Sequence, residues 1–419
     1  RGSGRDATLL SLLDCTETSM GSRLLRTYLT SPLLSVDAIE TRLDAVEHLA
    51  ENTVVRASLR TLLHRCADIE RIAGRIAYGN AGPKDLIRLR DTLLCIPEVR
   101  EEIRASVGKE GKPARLFELA GGLLDLPDTI DLVSRAIQDD PPATTGGGDV
   151  IRDGYDEKLD ELRLLTRSGK KWILDLQQRE RERTKIRSLK VGHNNIFGYY
   201  IEVSRPNLHL VPPEYERKQT TANGERFTTT ELREKEAAIA TAEERLLSLE
   251  GEIYTALIAS LQGQVPDLLA DGRILAELDV YAALAEVARS HGYARPVLDA
   301  GAKIEIREGR HPVVDARMRG GFVPNDTLLD SGGDQILIIT GANMAGKSTY
   351  MRGVALIVIL AQMGSFVPAE YARIGMVDRI FTRVGAFDDL ASGQSTFMVE
   401  MLELANILNN VTERSLVIL

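Results

Sequence analysis

Aromatic residues are scarce, at 5% of 419 positions with Trp172 the single tryptophan. A chain of this length must then build its cores from aliphatic side chains, which leans toward helices packed through Leu, Ile and Ala. Cysteine is scarce too. Cys15, Cys66 and Cys95 are odd in number and show no CxxC spacing, which argues against a disulfide framework or a zinc site and for a reducing cytosol. The six histidines (His48, His64, His193, His209, His291 and His311) form no metal-ligand cluster. Long apolar runs are missing: the richest, Gly353 to Val367, includes Gln362, and at about 15 residues it suits a buried helix better than a membrane span. An excess of positive charge is missing as well. The net charge is -9, so any nucleic-acid surface must be a local patch. These absences lead to the expectation of a cytoplasmic protein with no membrane partner.

What remains is an ordinary globular composition, 43% hydrophobic and 27% charged, in a chain long enough for about two to four domains. Both ends read as cut. Arg1-Gly2-Ser3-Gly4 runs straight into a helical pattern, and Ser415-Leu416-Val417-Ile418-Leu419 is an apolar strand-like run with no cap. The expectation is a fragment of a longer protein.

Residues 7 to 138 read as helix after helix. Leu9, Leu10, Leu12 and Leu13 begin one apolar face, Leu24, Leu25, Tyr28 and Leu29 continue at helical spacing, and Thr16, Ser31 and Ser35 mark boundaries. Pro141-Pro142 and Gly146-Gly147-Gly148 then form a linker. A long charged helix is expected from Tyr155 to about Lys190, with a stripe of Leu159, Leu162, Leu165, Trp172, Leu176, Ile186 and Leu189. A second is expected from about Thr230 to Leu261, where Leu232, Ile239, Ala242, Leu246, Leu249, Ile253, Leu257 and Leu261 repeat at roughly heptad spacing. Between them Phe197 to Val203 is β-like, with turns at Pro206-Asn207 and Pro212-Pro213. Two long helices with a β-rich insert at their tip make a lever with a hand on its end. A coiled-coil spacer with a decorated tip fits the same periodicity.

From about Gly301 the texture becomes α/β. Lys303 to Ile306 alternates like a strand, and Gln335 to Thr340 reads as a buried strand running into a glycine-containing loop. A helix from Gly346, a strand over Asp378 to Val384, a helix over Met398 to Leu408 and a strand over Leu416 to Leu419 follow.

The loop carries the chemistry. Gly341-Ala342-Asn343-Met344-Ala345-Gly346-Lys347-Ser348 fits G-x-x-x-x-G-K-[ST], and a chance match in a chain this long is on the order of one or two per cent. Its backbone N–H groups would converge on phosphate oxygens beside a helix N-terminus. Lys347 would place a point charge on the β/γ-phosphates, and Ser348 would offer a hydroxyl to Mg²⁺. A strand–turn–helix junction with incidental Lys and Ser is the plain alternative. Hydrolysis also needs a carboxylate on a neighbouring strand, expected just after Leu419. Asp388, Asp389 and Glu400 fall in a loop and on a helix and are better read as solvated or capping.

Thr340 to Arg352 strongly resembles the P-loop of the MutS family of DNA mismatch-repair proteins, and Phe381 to Met401 resembles that family's next signature more closely still. Gly198 to Val203 and Arg217-Lys218-Gln219-Thr220 resemble the family's DNA-clamp insert, and Gly309 to Val314 its approach to the ATPase domain. Ala342 and Ala345 depart from the usual proline and glycine, while Gly341, Gly346 and Lys347 are kept. The family's N-terminal mismatch-reading domain with its Phe-x-Glu wedge is not in this sequence. Nor are the Walker B acidic pair, the later histidine and the dimerisation region.

The resemblance implies a multidomain α and α/β protein with a helical core over 1–150, lever helices over 151–190 and 230–295, a small β-rich clamp insert over 191–229, and over 296–419 a P-loop (ABC-type) α/β ATPase domain truncated at its C-terminus. It implies ATP/ADP and Mg²⁺, with Gly341, Ala342, Asn343, Met344, Ala345, Gly346, Lys347, Ser348 and Thr349 around the phosphates, Ser348 on the metal and Phe322 stacked on adenine. Phe322 is otherwise a strand-edge core aromatic. Ser395 would reach the γ-phosphate of a second subunit, or would simply cap a helix. No residue stands as a certain catalyst, and hydrolysis by this stretch alone should be impaired. The implied partners are mismatched or looped double-stranded DNA, a second copy in a homodimer and a MutL-type repair factor, at a prokaryotic nucleoid.

Over 181–236 eleven Lys/Arg stand against eight Glu. Lys190, His193, Asn194, Asn195, Arg217, Lys218, Asn223 and Arg226 gather around the insert, a chemistry that holds phosphates without reading sequence; a solvated surface is the bland reading. Three other functions stay open. One is a MutS relative acting on recombination intermediates. Another is a chromosome-organising P-loop machine with a coiled-coil arm, and the third is a non-hydrolysing DNA-binding scaffold.

Overall fold

A hydroxyl or carboxylate that accepts a backbone N–H three residues ahead starts a helix by satisfying one of its orphan donors. Thr8, Thr18 and Ser35 do so for α1 (Leu9–Leu13), α2 (Ser19–Thr30) and α3 (Val36–Glu51). The chain continues through α4 (Thr53–His64), α5 (Ile69–Ala77), α6 (Pro83–Val107), α7 (Ala114–Gly122) and α8 (Pro127–Ala136). Asp156 caps α9 (Glu157–Thr184). Four strands follow: β1 (Lys190–Asn194), β2 (Gly198–Ser204), β3 (Glu216–Thr220) and β4 (Gly224–Thr228). Thr229 then caps α10 (Thr230–Leu261), and α11 (Val265–His291) comes next. The remainder alternates: β5 (Val297–Asp299), β6 (Ile304–Gly309), α12 (Pro312–Met318), β7 (Asn325–Leu329), α13 (Lys347–Gln362), β8 (Tyr371–Gly375), β9 (Arg379–Thr382), α14 (Thr396–Asn410) and β10 (Ser415–Ile418). This computed structural model describes residues 8–108, 111–194, 198–318, 321–383 and 396–419.

Residues 1–73, 91–125 and 266–419 form one compact unit, and 74–90 with 126–265 form another. In the first, helices pack around α11, whose Leu275, Leu278, Ala282 and Leu284 are buried. Asp279 lies in this core and accepts hydrogen bonds from the N–H groups of Glu17 and Thr18 and from the Thr18 hydroxyl, at 2.9, 2.8 and 2.7 Å. A carboxylate placed at the start of α2 also complements that helix's dipole. Gly21 is required there, because a Cβ would come within 2.2 Å of the Asp279 carboxylate. The strands of this unit form a mixed sheet ordered β5-β8-β6-β7 and a parallel pair β9-β10.

The second unit is built on α9 and α10, which run antiparallel. Arg179 meets Glu231, Lys170 meets Glu243, and Arg163 meets Glu250. Leu176, Ile186, Leu189, Ile201, Val203, Tyr215, Phe227 and Leu232 form one core where the helix ends meet the antiparallel sheet β1-β2-β4-β3. Two long helices with a β-rich insert between them are thus present, over Glu157–Thr184, Thr230–Leu261 and the four strands from Lys190 to Thr228.

Three expectations are corrected. The first long helix ends at Thr184 rather than near Lys190: Lys185 turns left-handed at φ +60°, and Lys190 already begins β1. The buried face of α9 is not the leucine stripe alone. Leu165 is exposed, while Arg163, Thr166 and Glu180 are buried in its place, because Arg163 finds a charged partner on α10 and apolarity does not register such a pair. Finally, Gln335 to Thr340 is neither a strand nor buried, with Ile336 and Ile338 more than four-fifths exposed. An apolar run becomes a strand only where neighbours supply ladder partners, and none pairs with this one among the described residues.

Candidate functional site

The glycine-containing loop turns through three residues with positive φ: Gly341 at +151°, Met344 at +65° and Gly346 at +92°. Gly346 then caps α13. Left-handed turns before a helix bring backbone N–H groups to one side, and the first turn of the helix adds donors with no intrahelical acceptor. Lys347, the first residue of α13, folds back over the loop and donates from Nζ to the carbonyls of Gly341 at 2.6 Å and Ala342 at 2.8 Å. Its ammonium is therefore held inside the loop. Asn343, Met344, Ala345 and Ser348 are exposed, and Thr349 is half-buried. The arrangement can take an anion: converging donors, one fixed cation and an open hydroxyl.

One turn further on lies a narrow cleft of about 10 Å³, lined among others by Phe322, Arg310, His311, Asn325, Thr349 and Tyr350. Phe322 is half-buried in the stretch before β7, so it is a lining aromatic rather than part of a strand. Tyr350 is fixed by its hydroxyl contact with Thr327 at 2.8 Å. Burial lowers the His311 pKa from its ordinary value, and the nearby Arg352 lowers it further; its Nδ1 accepts from the Val314 N–H at 3.4 Å. The fold thus brings Phe322 and Thr349 to one cleft, at the start of the helix that carries Lys347 and Ser348. Arg310, His311 and Tyr350 fall inside the signature blocks Gly309 to Val314 and Thr340 to Arg352, but the pattern assigns them no separate role. Ser395, Asp388 and Asp389 lie outside the described residues. Glu400 falls within α14.

In the second unit the sheet register sorts the basic residues. Lys190 pairs with Glu202, Glu202 with Arg226, and Arg226 with Gln219, one cross-strand row over four strands. Arg226 donates to Glu202 at 3.0 Å and to Gln219 at 3.0 Å, and its guanidinium lies 4.1 Å from the centre of the Tyr200 ring. Lys190 is exposed at the edge of that row. His193 is also exposed on β1, its ring 4.7 Å from that of Tyr199. Asn194 ends β1 opposite Gly198.

On the opposite edge, Arg217 reaches Glu225 at 3.2 Å. Lys218 sits at a register shift in β3, near the Tyr199 carbonyl and Glu236. Asn223 is exposed in the turn from β3 to β4. Asn195 and Phe197 lie outside the described residues. The cross-strand register therefore joins Lys190 and Arg226, puts Arg217 and Lys218 on the far strand, and gives Arg226 and Arg217 carboxylate partners. The charge balance of the segment did not reveal those partners, because they depend on register.

Comparison with known proteins places these units in a wider setting. The family model described as MutS domain III matches residues 1–285, and the one described as MutS domain V matches residues 337–419. A protein from Methanococcoides burtonii named DNA mismatch repair protein MutS is 52% identical over 422 residues, covering 100% of this chain and 47% of that protein. Proteins of the same name from Symbiobacterium thermophilum and Salinibacter ruber are each 50% identical, covering 100% and 99% of this chain and 47% and 45% of their own lengths. The chain spans about half the length of these relatives.

Proposed function

Because the chain belongs to the MutS family, we propose that it is the body, clamp and nucleotide-loop portion of an ATP-dependent DNA mismatch-repair protein, which grips duplex DNA and changes state as ATP binds and is hydrolysed. In this reading residues 1–150 are the helical core, 151–190 and 230–295 the levers, 191–229 the DNA clamp and 296–419 the nucleotide-binding domain. The observation that carries it is the loop whose own carbonyls hold the Lys347 ammonium.

The residues present fit a nucleotide. The loop from Gly341 to Ser348 offers N–H donors to phosphates, Lys347 adds a fixed positive charge, and Phe322, which lines the cleft beside α13, would stack on a flat base. Ser348 is an exposed hydroxyl able to serve as one Mg²⁺ ligand. Bound Mg²⁺ would neutralise phosphate charge. Everything else these residues do is to bind and orient. Asn343 and Thr349 flank the phosphates in this assignment, and Ser395 would act across a homodimer.

On the clamp, Lys190, His193, Asn194, Asn195, Arg217, Lys218, Asn223 and Arg226 would face the DNA backbone. Arg226 and Arg217 would exchange carboxylates for phosphates on contact. Nucleotide can drive such a switch only if it binds the two states with different affinity. Mismatched or looped DNA, a second copy and a MutL-type factor are the partners this function implies, at a prokaryotic nucleoid.

Titration of a fluorescent ATP analogue tests the reading. Lys347→Ala removes a charge-assisted phosphate contact worth about 2–3 kcal/mol, so affinity should fall about 30- to 150-fold. Binding that is unaltered by this change would remove the loop from the mechanism.

A further inference from the structure

Gln362 interrupts an otherwise apolar helix end, and it is 3% exposed. All its hydrogen-bonding groups are used. Its backbone carbonyl accepts from the Leu33 N–H at 2.9 Å. Its side-chain amide donates to the Leu33 carbonyl at 3.0 Å and the Val377 carbonyl at 2.9 Å, and its side-chain oxygen accepts from the Val377 N–H at 3.1 Å. One side chain thus ties the end of α13 to the loop between α2 and α3 on one side and to the approach to β9 on the other.

Arg42 of α3 makes a second tie. Its guanidinium donates to the carbonyl of Met363, the cap residue of α13, at 3.0 Å, and stacks 3.4 Å over the Tyr28 ring. Gly364 leaves the helix at φ +86°, and a Cβ there would come within 2.5 Å of Arg42. The contact chain continues inward. Tyr281 neighbours Tyr28, and its hydroxyl donates to Glu277 at 2.6 Å, while Arg115 grips the same carboxylate twice at 2.7 Å. It therefore runs from the end of α13 through α3 and α2 to α11 and α7.

We infer that Gln362 and Arg42 are positioning residues that transmit occupancy of the 341–348 loop, through α13 as a rigid strut, to the helical body around α2, α3 and α11; this rests on the proposed nucleotide reading. The strut is about 24 Å long. Its first residue is Lys347 and its last is Gln362. Apolar packing alone lets a helix slide or rotate at small cost. Three directional bonds from one buried side-chain amide and a fourth to its backbone carbonyl, with a guanidinium over the helix end, fix both register and rotation, so a displacement at one end must appear at the other. A spatial chain is not yet a coupling, and only a measured change at one site on binding at the other makes it one.

Hydrogen exchange on the full-length protein, with and without a saturating non-hydrolysable ATP analogue, tests this. In the wild type, amides of residues 31–45 and 277–283 should change exchange rate about fivefold or more on binding. In Arg42→Ala and in Gln362→Met that change should fall below about twofold, while affinity for the analogue stays within about threefold of wild type. If Gln362→Met does not fold, Arg42→Ala decides alone. Undiminished changes in Arg42→Ala would overturn the inference while leaving the nucleotide reading intact. No analogue binding in the wild type would overturn the nucleotide reading itself, and the inference with it.

Discussion

Replacing Glu250 should release the segment that leads into α9. Glu250 is fully buried, and its Oε1 accepts from the N–H groups of Val150 and Ile151, both at 3.0 Å, and from the guanidinium of Arg163 at 2.9 Å. Arg163 is itself 4% exposed and would keep the Ile151 carbonyl, Asp153 and, at 3.6 Å, Asp160. Breaking a buried ion pair from one side costs about 3–5 kcal/mol, because the remaining charge stays buried without its partner. The two orphaned N–H groups overlap with that figure rather than adding to it in full. Glu250→Ala should therefore cost about 4 kcal/mol locally. A chain of two units need not unfold in one step, so a global midpoint is a poor measure. Site-resolved hydrogen exchange is the right assay, and 4 kcal/mol corresponds to about a thousandfold faster exchange at amides 150 and 151. Glu250→Gln keeps one acceptor and should fall between, while the pair Arg163→Met with Glu250→Leu should recover only the charge part of the loss, since the N–H groups of Val150 and Ile151 stay without partners. Exchange at 150 and 151 less than about fivefold faster in Glu250→Ala would refute the reasoning.

Two further outcomes follow from buried and exposed charge. Burial pushes the Asp271 carboxyl up to about 6, while it accepts a hydrogen bond from the Leu124 N–H at 2.9 Å. The folded state thus holds this proton more tightly than the unfolded chain, so stability falls as pH rises from about 4 to about 6 and is then level. Asp271→Asn keeps the acceptor and should stabilise by about 1–3 kcal/mol at pH 7.5 and by nothing near pH 4, which a pH series of denaturant midpoints would check; a gain independent of pH would contradict it. For duplex DNA, Lys190→Ala should lower the slope of log affinity against log salt by about 1. Arg226→Ala should lower it less, because Glu202 already neutralises Arg226; equal slopes in wild type and Lys190→Ala would remove this edge from the interface.

Periodicity made most of the helices legible. Thr230 to Leu261 matches α10 end to end, because heptad leucines and a threonine cap are local signals. The β texture after Gly198 and the strands at Ile304, Arg379 and Ser415 were legible for the same reason. The glycine loop was legible as a motif, and the Lys347 contacts agree with it. Gln335 to Thr340 shows the limit: composition marks it as strand-forming, but a strand is made by its neighbours. The basic residues of the four-stranded antiparallel sheet show another. Their charges could be counted, yet whether Arg226 faces a carboxylate depends on a pairing between β2 and β4 that no local window contains.

The buried polar residues of this chain share one property that apolar patterning hides. Asp279 takes the N–H groups of Glu17 and Thr18, Asp271 that of Leu124, Glu250 those of Val150 and Ile151, and Gln362 the Leu33 carbonyl and both polar groups of Val377. Each is a helical side chain reaching the backbone of a segment distant in sequence, at a loop or a helix start. Leucine at such a position would fill the space and leave those backbone groups without partners, at about 1–3 kcal/mol each. Apolar contacts therefore decide that the helices pack, while these residues decide where each connecting segment is held. Such joints have discrete broken and made forms where a greasy contact has a continuum. The polar interruptions in the hydrophobic stripes, Gln362 above all, are for this reason the positions where a substitution should loosen a joint without emptying the core.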